Sequence, residues 1–381
     1  MAAMSAPKKS KKGRKKKKKA GDDCKENESE QIHNVPRWIK KNEHLFAPPI
    51  CNKLMYRQQL NIMFVGGPNT RKDFHIDCGE EFFYQIRGNM SLPTYQQGKR
   101  KVVHIKEGQV YLLRARIPHS PQRPEKGSLG LVVERQRMKT RDELDCLRYY
   151  VCDFEPNEKN ESKILWEKWF FCSNLGTQLP PIVKEFEASE EFKSHEPGKH
   201  VKKKPPVKLD TEVLIPDPID LFPFIEKNRK YLEKHKRLDI YSGTQTQARI
   251  LTGPFELRRK FHQETWYYCL KGDCRVNFDW PSKRDTQLLS DGDCLIISKN
   301  EQYKLTIASS DTLVMSVCMD VSAPIPDPKA PPKKYDHENK QDTPWENMKA
   351  EDPKFYRREL ARGKNENELQ RIDNDITLDK V

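Results

Sequence analysis

The 381-residue chain has ten cysteines but no Cys-x-x-Cys pair, which leaves no material for a zinc ribbon. Their scatter from Cys24 to Cys318 fits reduced thiols in a cytoplasmic or nuclear compartment better than a disulfide framework. No stretch approaches the ~20 apolar residues of a membrane span. Nor does an apolar run with a small-residue cleavage site follow the first lysines, so a secretory signal is not expected. Helical patterning is sparse, the best stretches being Trp38 to Leu45 and Ile182 to Phe192. Aromatic residues are missing from the first thirty positions and concentrate between Trp38 and Tyr303. The fold is therefore expected to begin near Val35, and a hydrophobic content of only 35% says that not all of the chain packs.

A formal net charge of +14 would ordinarily point to a polyanionic partner. Its location argues otherwise. Lys8 to Lys19 holds ten basic residues, and removing them from +14 leaves +4. Residues 1–34 read as a basic, self-repelling tail, with nuclear import or tethering to a polyanion as the alternative to simple solvation. The body is expected to be cytoplasmic and monomeric, with nucleic acid a partner only for the tail.

What the chain does have is a series of short β-rich runs broken by Gly and Pro: NIMFVGGPNT, EFFYQIRGNM, KVVHIKEGQ, VYLLRARIPH and LGLVVER. Such spacing reads as an antiparallel sandwich or barrel. Residues 35–193 form the first expected domain, and the Pro- and Lys-rich residues 194–214 a linker. Residues 215–323 form a second domain, and the Pro-rich, charged residues 324–381 an extended tail with a short helix near Phe355 to Arg362. The second domain looks like an eroded copy of the first. Phe82 to Gly88 aligns with Trp266 to Gly272, and each block is followed twenty residues later by a glycine, Gly108 or Gly292.

Around Gly88 and Gly108 stands a constellation with metal-ligand character. His75 and Glu81 precede Gly88 by thirteen and seven residues, and His119 follows Gly108 by eleven. This spacing resembles the two cupin motifs, G-x5-H-x-H-x3,4-E-x6-G and G-x5-P-x-G-x2-H-x3-N. Several positions depart: Asn69 and Asp77 stand at a motif Gly and His, and Arg114, Arg116 and Arg123 at the Pro, Gly and Asn. Two imidazoles and one carboxylate on one face of an octahedral ion leave three adjacent positions open, the arrangement of non-haem Fe(II) oxygenases. Ligand types alone would also admit Mn, Zn or Ni. Cys78, between His75 and Glu81, is read as a free thiol rather than a soft ligand. The same offsets in the second domain fall on Arg259, Thr265 and Tyr303, so that barrel is expected to be metal-free and structural.

The segments CNKLM, FVGGPNTRKDFHIDCGEEFFYQ, PHSPQR, GLVVER, LRYYV and EKWFFCSNLGTQL resemble the animal 3-hydroxyanthranilate 3,4-dioxygenases, strongly from about Val35 to Phe192 and weakly through the second barrel. The resemblance implies an all-β protein of tandem cupin barrels with one Fe(II) per chain. It implies opening of the ring of 3-hydroxyanthranilate by O2 to 2-amino-3-carboxymuconate semialdehyde, in the kynurenine route to quinolinate and pyridine nucleotides. By motif match, His75, Glu81 and His119 hold iron, and Arg71, Arg123 and Glu134 meet the substrate, with Asn52 lining the pocket. A guanidinium suits a carboxylate through two parallel hydrogen bonds, and Glu134 ends an apolar strand where a carboxylate is costly without a partner. Competing readings are an iron cupin oxygenase for another carboxylated phenol and a non-enzymatic cupin binding module.

Overall fold

The computed structural model describes residues 32–320 except 49–50, 140–142, 158, 160, 212–214, 216, 243–244, 280–281 and 283. The C-terminal tail 324–381 with its expected helix, and all but the last three residues of the basic tail 1–34, lie outside the described residues.

Eleven strands precede the middle of the chain: β1 (His33–Asn34), β2 (Asn52–Arg57), β3 (Leu60–Gly66), β4 (Phe74–Ile76), β5 (Glu81–Arg87), β6 (Met90–Gln96), β7 (Lys99–Ile105), β8 (Gln109–Leu113), β9 (Leu129–Arg135), β10 (Asp145–Tyr150) and β11 (Ile164–Phe170). Ten follow: β12 (Ile219–Asp220), β13 (Arg237–Ser242), β14 (Thr246–Leu251), β15 (Phe255–Lys260), β16 (Thr265–Lys271), β17 (Cys274–Phe278), β18 (Gln287–Leu289), β19 (Asp293–Ile297), β20 (Gln302–Ile307) and β21 (Leu313–Met319). Among the described residues five α-helices accompany them: α1 (Val35–Asn42), α2 (Leu175–Glu187), α3 (Glu190–Ser194), α4 (Leu221–Lys227) and α5 (Arg229–His235).

Two antiparallel six-stranded sheets have the same internal order, β12-β8-β5-β9-β3-β2 and β1-β19-β16-β21-β14-β13. Glu81 faces Leu113 in one and Thr265 faces Ile297 in the other, the register that the aligned blocks predict. Each sheet is completed by a short strand from the other half. β1 pairs with β19, and Val35 N–H donates to Gly292 O at 2.7 Å; β12 pairs with β8, and Leu221 N–H donates to Gly108 O at 3.1 Å. The duplication extends into the helices after these strands. In VPRWIKKN and LFPFIEKN the closing asparagine caps the carbonyl four residues back, Asn42 on Trp38 and Asn228 on Phe224, both at 2.8 Å.

The apolar outer faces of the two six-stranded sheets meet, so the largest core lies between the barrels: Leu60, Ile62, Phe64, Phe82 and Val133 pack in one cluster with Ile250, Trp266, Ile296 and Val317. The alternate residues of the same strands point into each barrel, Phe83, Tyr111 and Val132 in the first and Tyr267, Leu295 and Val314 in the second. The second wall of the first barrel is β11-β10-β4 together with the β6-β7 hairpin, joined through isolated bridges at His75–His119, Thr94–His119 and Ser91–Gln122. Its counterpart is β15-β20-β17-β18, in which β15 is an edge. The strands β10 and β11, backed by α2, are thus an addition to the first barrel alone.

Three helical expectations are corrected. The first helix starts at Val35 rather than Trp38, because Asn34 accepts from Arg37 N–H as N-cap and Pro36 suits the first turn. The second starts at Leu175, seven residues before Ile182, since the Gln178 side chain takes the Ser173 and Asn174 N–H groups at 2.8 and 2.7 Å; it ends before Ser189, which caps the separate helix α3. The paired helices α4 and α5 open what reads as a purely β-rich region. Within the expected linker, Lys202 N–H donates to Glu167 at 3.0 Å and His200 meets Glu191 at 2.8 Å.

Candidate metal centre and substrate cavity

Strand β4 and the segment after β8 run antiparallel as a two-way bridge in which His75 and His119 exchange backbone hydrogen bonds at 2.8 and 2.9 Å. Glu81 opens β5 on the facing sheet. The bridge sets the two rings 5.4 Å apart, and one ligand atom from each of His75, Glu81 and His119 lies within 4.8 Å of the others. All three are buried. The turn that delivers His119 contains Arg116 at φ 64°, where the cupin motif carries glycine, a conformation that costs a residue with a Cβ.

The protonation pattern around these groups tests whether they suit a metal. His119 Nδ1 lies 3.0 Å from the Ile117 carbonyl, which can only accept, so Nδ1 carries a proton and Nε2 is the ring nitrogen turned to Glu81, 2.9 Å from its Oε1. His75 Nε2 lies 3.0 Å from Asp145 Oδ2, and its Nδ1 is 4.0 Å from the same Glu81 oxygen. Among the described residues Glu81 Oε1 is buried with no aligned hydrogen-bond donor. Three potential ligand atoms thus converge, and each imidazole is oriented by an acceptor on its far side, as in metal sites generally. Burial alone would push the Glu81 carboxyl up; His119, His75 and Arg137 outweigh it and hold the group below its ordinary range. Burial likewise opposes a charge on His119, and Glu81 overrides it.

Beside the trio stands a second layer that sequence reasoning did not find. Asp145 opens β10, and that strand pairs with β4 so that Leu147 faces His75. Arg137, just beyond β9, touches Asp145, Asp77 and Glu134. The available signal was an Arg three residues after Glu134 and an aspartate opening the apolar run DCLRYYV. Asp77, at the position of the motif's second histidine, is pushed well up by burial and by the carboxylates around it, with Arg137 opposing. Cys78 is buried, its thiol is raised by that burial, and no metal-ligand grouping among the described residues includes it.

The remaining expected residues fall on two levels. Glu134 accepts from Asn61 Nδ2 at 3.3 Å and has a carboxylate oxygen within 4.8 Å of those of Glu81 and Asp77. Glu134 and Asn52 line a cavity of about 290 Å³ with Asn61, Met63, Arg137 and Cys172, close to the ~300 Å³ lower end for small-ligand sites. Arg71 pairs with Asp73, its backbone N–H donates to Gln122 Oε1 at 3.0 Å, and its charge reaches Glu81 and His119. Arg123 is buried, and its Nε and Nη2 have no hydrogen-bond partner among the described residues. Its guanidinium abuts Gly130, which is opposite Gln85 on β5, four residues or about 13 Å along the strand from Glu81. Arg71 and Arg123 are not among the cavity's lining residues. Arg114 replaces the motif proline with an ion pair, its Nε 3.7 Å from Glu80.

In the second barrel, Arg259 faces Tyr303 across β15 and β20 and Thr265 opens β16. Tyr303 shares a 2.7 Å hydroxyl contact with Tyr267.

Comparison with known proteins adds the chemistry. The family described as 3-hydroxyanthranilic acid dioxygenase matches residues 28–187, which include His75, Glu81, His119, Glu134, Arg137 and Asp145. A 3-hydroxyanthranilate 3,4-dioxygenase of Danio rerio is 40% identical over 80% of this chain and 99% of its own length. That of Xenopus tropicalis is 42% identical over 71% and 92%, and that of Homo sapiens 46% identical over 55% and 70%. Among solved structures, a cupin 2 conserved barrel domain protein from Leptotrichia buccalis covers 76% of this chain and 96% of its own at a TM-score of 0.38 and 10% identity. With similarity running through both halves of the duplicated fold and along nearly the whole of the Danio rerio protein, the chain belongs to the 3-hydroxyanthranilate 3,4-dioxygenase family.

Proposed function

We propose that this chain cleaves the ring of 3-hydroxyanthranilate with O2 to 2-amino-3-carboxymuconate semialdehyde, at one Fe(II) held in the first barrel by His75, Glu81 and His119. The observation that carries the assignment is the buried Glu81 Oε1 with one ring nitrogen each of His119 and His75 turned to it, 2.9 and 4.0 Å away. Bound there, Fe(II) would offer adjacent positions for the substrate's phenol and amine and for O2, and the redox chemistry that joins them.

The chain's own groups do the rest. Glu134, held by Asn61 and Arg137, stands near enough to Glu81 to take a proton from the hydroxyl or amine as the substrate chelates. Arg123 supplies a desolvated cation with two free N–H groups, which a carboxylate satisfies through parallel hydrogen bonds. Arg71 adds positive potential at Glu81 and His119, and Asn52 lines the cavity. A planar ring that chelates at the Glu81 level with its carboxylate directed toward the arginines is held in one pose, and this fixed pose replaces a random encounter with a positioned one. The second barrel, with Arg259, Thr265 and Tyr303 at the matched positions, braces the first, so the chain works as a monomer containing both. Among the described residues no helix is long and apolar enough to cross a membrane; a cytoplasmic site of action, with a nuclear fraction carried by the basic tail, completes the reading.

The test is anaerobic loading of the full chain with Fe(II), then addition of 3-hydroxyanthranilate and air while semialdehyde absorbance and O2 uptake are followed. Product that requires iron supports the assignment. Iron binding without product would move the substrate to another carboxylated phenol, and failure to bind iron would remove the central claim.

A further inference from the structure

Arg137 uses all three of its guanidinium nitrogens inside the site. Nε lies 3.1 Å from both oxygens of Asp145, and Nη2 lies 2.9 Å from Asp145 Oδ2 and 2.5 Å from Asp77 Oδ2. Nη1 lies 3.1 Å from Glu134 Oε2 and 3.2 Å from the Arg135 carbonyl. The Asp145 oxygen that it grips is the one that orients His75 at 3.0 Å. One planar group, with its side chain only 2% exposed, therefore fixes on one side the carboxylate behind a metal ligand and on the other the carboxylate that faces the cavity.

The second barrel supplies an independent comparison. Its matched strands place Cys318 opposite Thr265, as Glu134 extends opposite Glu81, and the sequence position matching Arg137 is Val321, with Phe261 in place of Asp77. Among the described residues no strand equivalent to β10 flanks β15 in its sheet. A barrel of the same strand order thus folds with other residues at these positions, so the cluster follows the His-Glu-His site rather than the demands of the architecture.

From this placement we infer that Arg137 is a positioning residue that couples two functions of the site, aiming His75 through Asp145 and aiming Glu134 at the substrate. The inference rests on the iron assignment above. A lysine cannot reproduce it, because an ammonium is a point charge without the planar fork that meets two carboxylate edges at once.

The experiment compares wild type with Arg137→Lys, Asp145→Asn and Glu134→Gln in the full chain. Four readouts are taken: thermal melting of the metal-free protein, Fe(II) and Co(II) dissociation constants, the separate kcat and KM for 3-hydroxyanthranilate, and the Co(II) absorption spectrum. Asp145→Asn should weaken metal binding about 10- to 100-fold, the usual effect of losing a group that orients a ligand, with KM little changed. Glu134→Gln should act on the kinetic parameters with the metal dissociation constant unchanged. Arg137→Lys should do both while the metal-free melt stays near wild type, and its effect on metal affinity should largely vanish in the Asp145→Asn background. The Co(II) absorption spectrum should shift in Arg137→Lys, reporting an altered ligand field that a general loss of stability would not produce.

Wild-type metal affinity and KM in Arg137→Lys would overturn the inference, as would effects that add fully to those of Asp145→Asn. If Arg137→Lys does not fold, the charge-balanced pair Arg137→Gln with Asp145→Asn replaces it, and unaltered KM in that pair would overturn the inference equally. Failure of wild type to bind Fe(II) would remove the underlying assignment instead, so the two failures are distinguishable.

Discussion

Arg123 is the residue whose replacement should improve the folded protein and damage the enzyme. Its guanidinium is buried with two nitrogens unpartnered among the described residues, and burial alone pulls it down to about 10. A buried charge left without a partner costs about 3 kcal/mol or more. Arg123→Met keeps much of the aliphatic stem and removes the charge. Allowing for imperfect repacking, the metal-free protein should gain about 1 to 3 kcal/mol, which for a folded body of this size is a rise of roughly 2 to 6 °C in melting temperature. Substrate binding should move the other way: losing the buried partner of a carboxylate costs about 2 kcal/mol or more, so KM for 3-hydroxyanthranilate should rise about 30-fold or beyond. Iron content should be unchanged, because Arg123 sits about four residues along the strand from the ligand level. Differential scanning calorimetry of the metal-free protein and steady-state oxygen uptake read the two effects. A melting temperature that falls by several degrees would refute the reasoning, since it would mean that the guanidinium is satisfied before any substrate arrives.

Three further outcomes follow from other parts of the molecule. Gly130→Ala would place a Cβ 2.6 Å from both Arg123 Nη2 and Gln85 Oε1; equilibrium metal titration should be unaffected while KM rises, and an unchanged KM would mean that the guanidinium has room to retreat. Glu191 is held below its ordinary range: burial opposes its charge, and the His200 ring and backbone N–H outweigh it. A depressed carboxyl contributes stability that is present above its unfolded value and is lost as pH falls through the folded one, so Glu191→Gln should lower the melting temperature at neutral pH, with the difference closing on acidification below about pH 4; a gap that stays constant with pH would refute this. Trp266→Ala, in the core between the barrels, should cost about 3 to 5 kcal/mol in chemical denaturation and should lower both barrels' stability together, whereas loss confined to the second would show that the halves unfold independently.

The parts of this molecule that were legible in its sequence are those encoded over short distances along the chain. His75 and Glu81 are separated by one short loop, and Glu81 opens an aromatic strand whose copy at Thr265 carries the same turn glycine, so spacing alone brings the ligand pattern and the duplication into view. Asp145 was not legible: it reaches His75 because β10 pairs with β4 across seventy residues, and no local pattern marks that pairing. Arg137 is invisible for the same reason, since an arginine after a strand reads as a solvated end until the three carboxylates around it are placed. The strand exchange also escaped notice, because β1 and β12 are two residues each and their partners lie in the opposite half of the chain. Helix α2 was misjudged at its start because Pro180 and Pro181 suggest a boundary, whereas a glutamine side chain closes the turn before them.

These non-local features also explain why the second barrel belongs to the working unit even with its ligand positions replaced. Glu80, the neighbour of Glu81, accepts N–H groups of Gln245 and Thr246 at 3.1 and 2.8 Å, and its own N–H donates to Gln245 Oε1 at 3.2 Å. That same Gln245 oxygen takes Arg135 Nε at 3.1 Å, two residues before Arg137. The start of β5 and the end of β9, the strands carrying Glu81 and Glu134, are therefore both pinned to Gln245 and Thr246, where β14 begins, and that strand packs in the core built from both halves. A single barrel would have to obtain this bracing from a partner chain; here a covalent copy provides it, and Arg259, Thr265 and Tyr303 can stand at the matched positions because the bracing is done by its outer face and by Gln245 and Thr246 rather than by its interior.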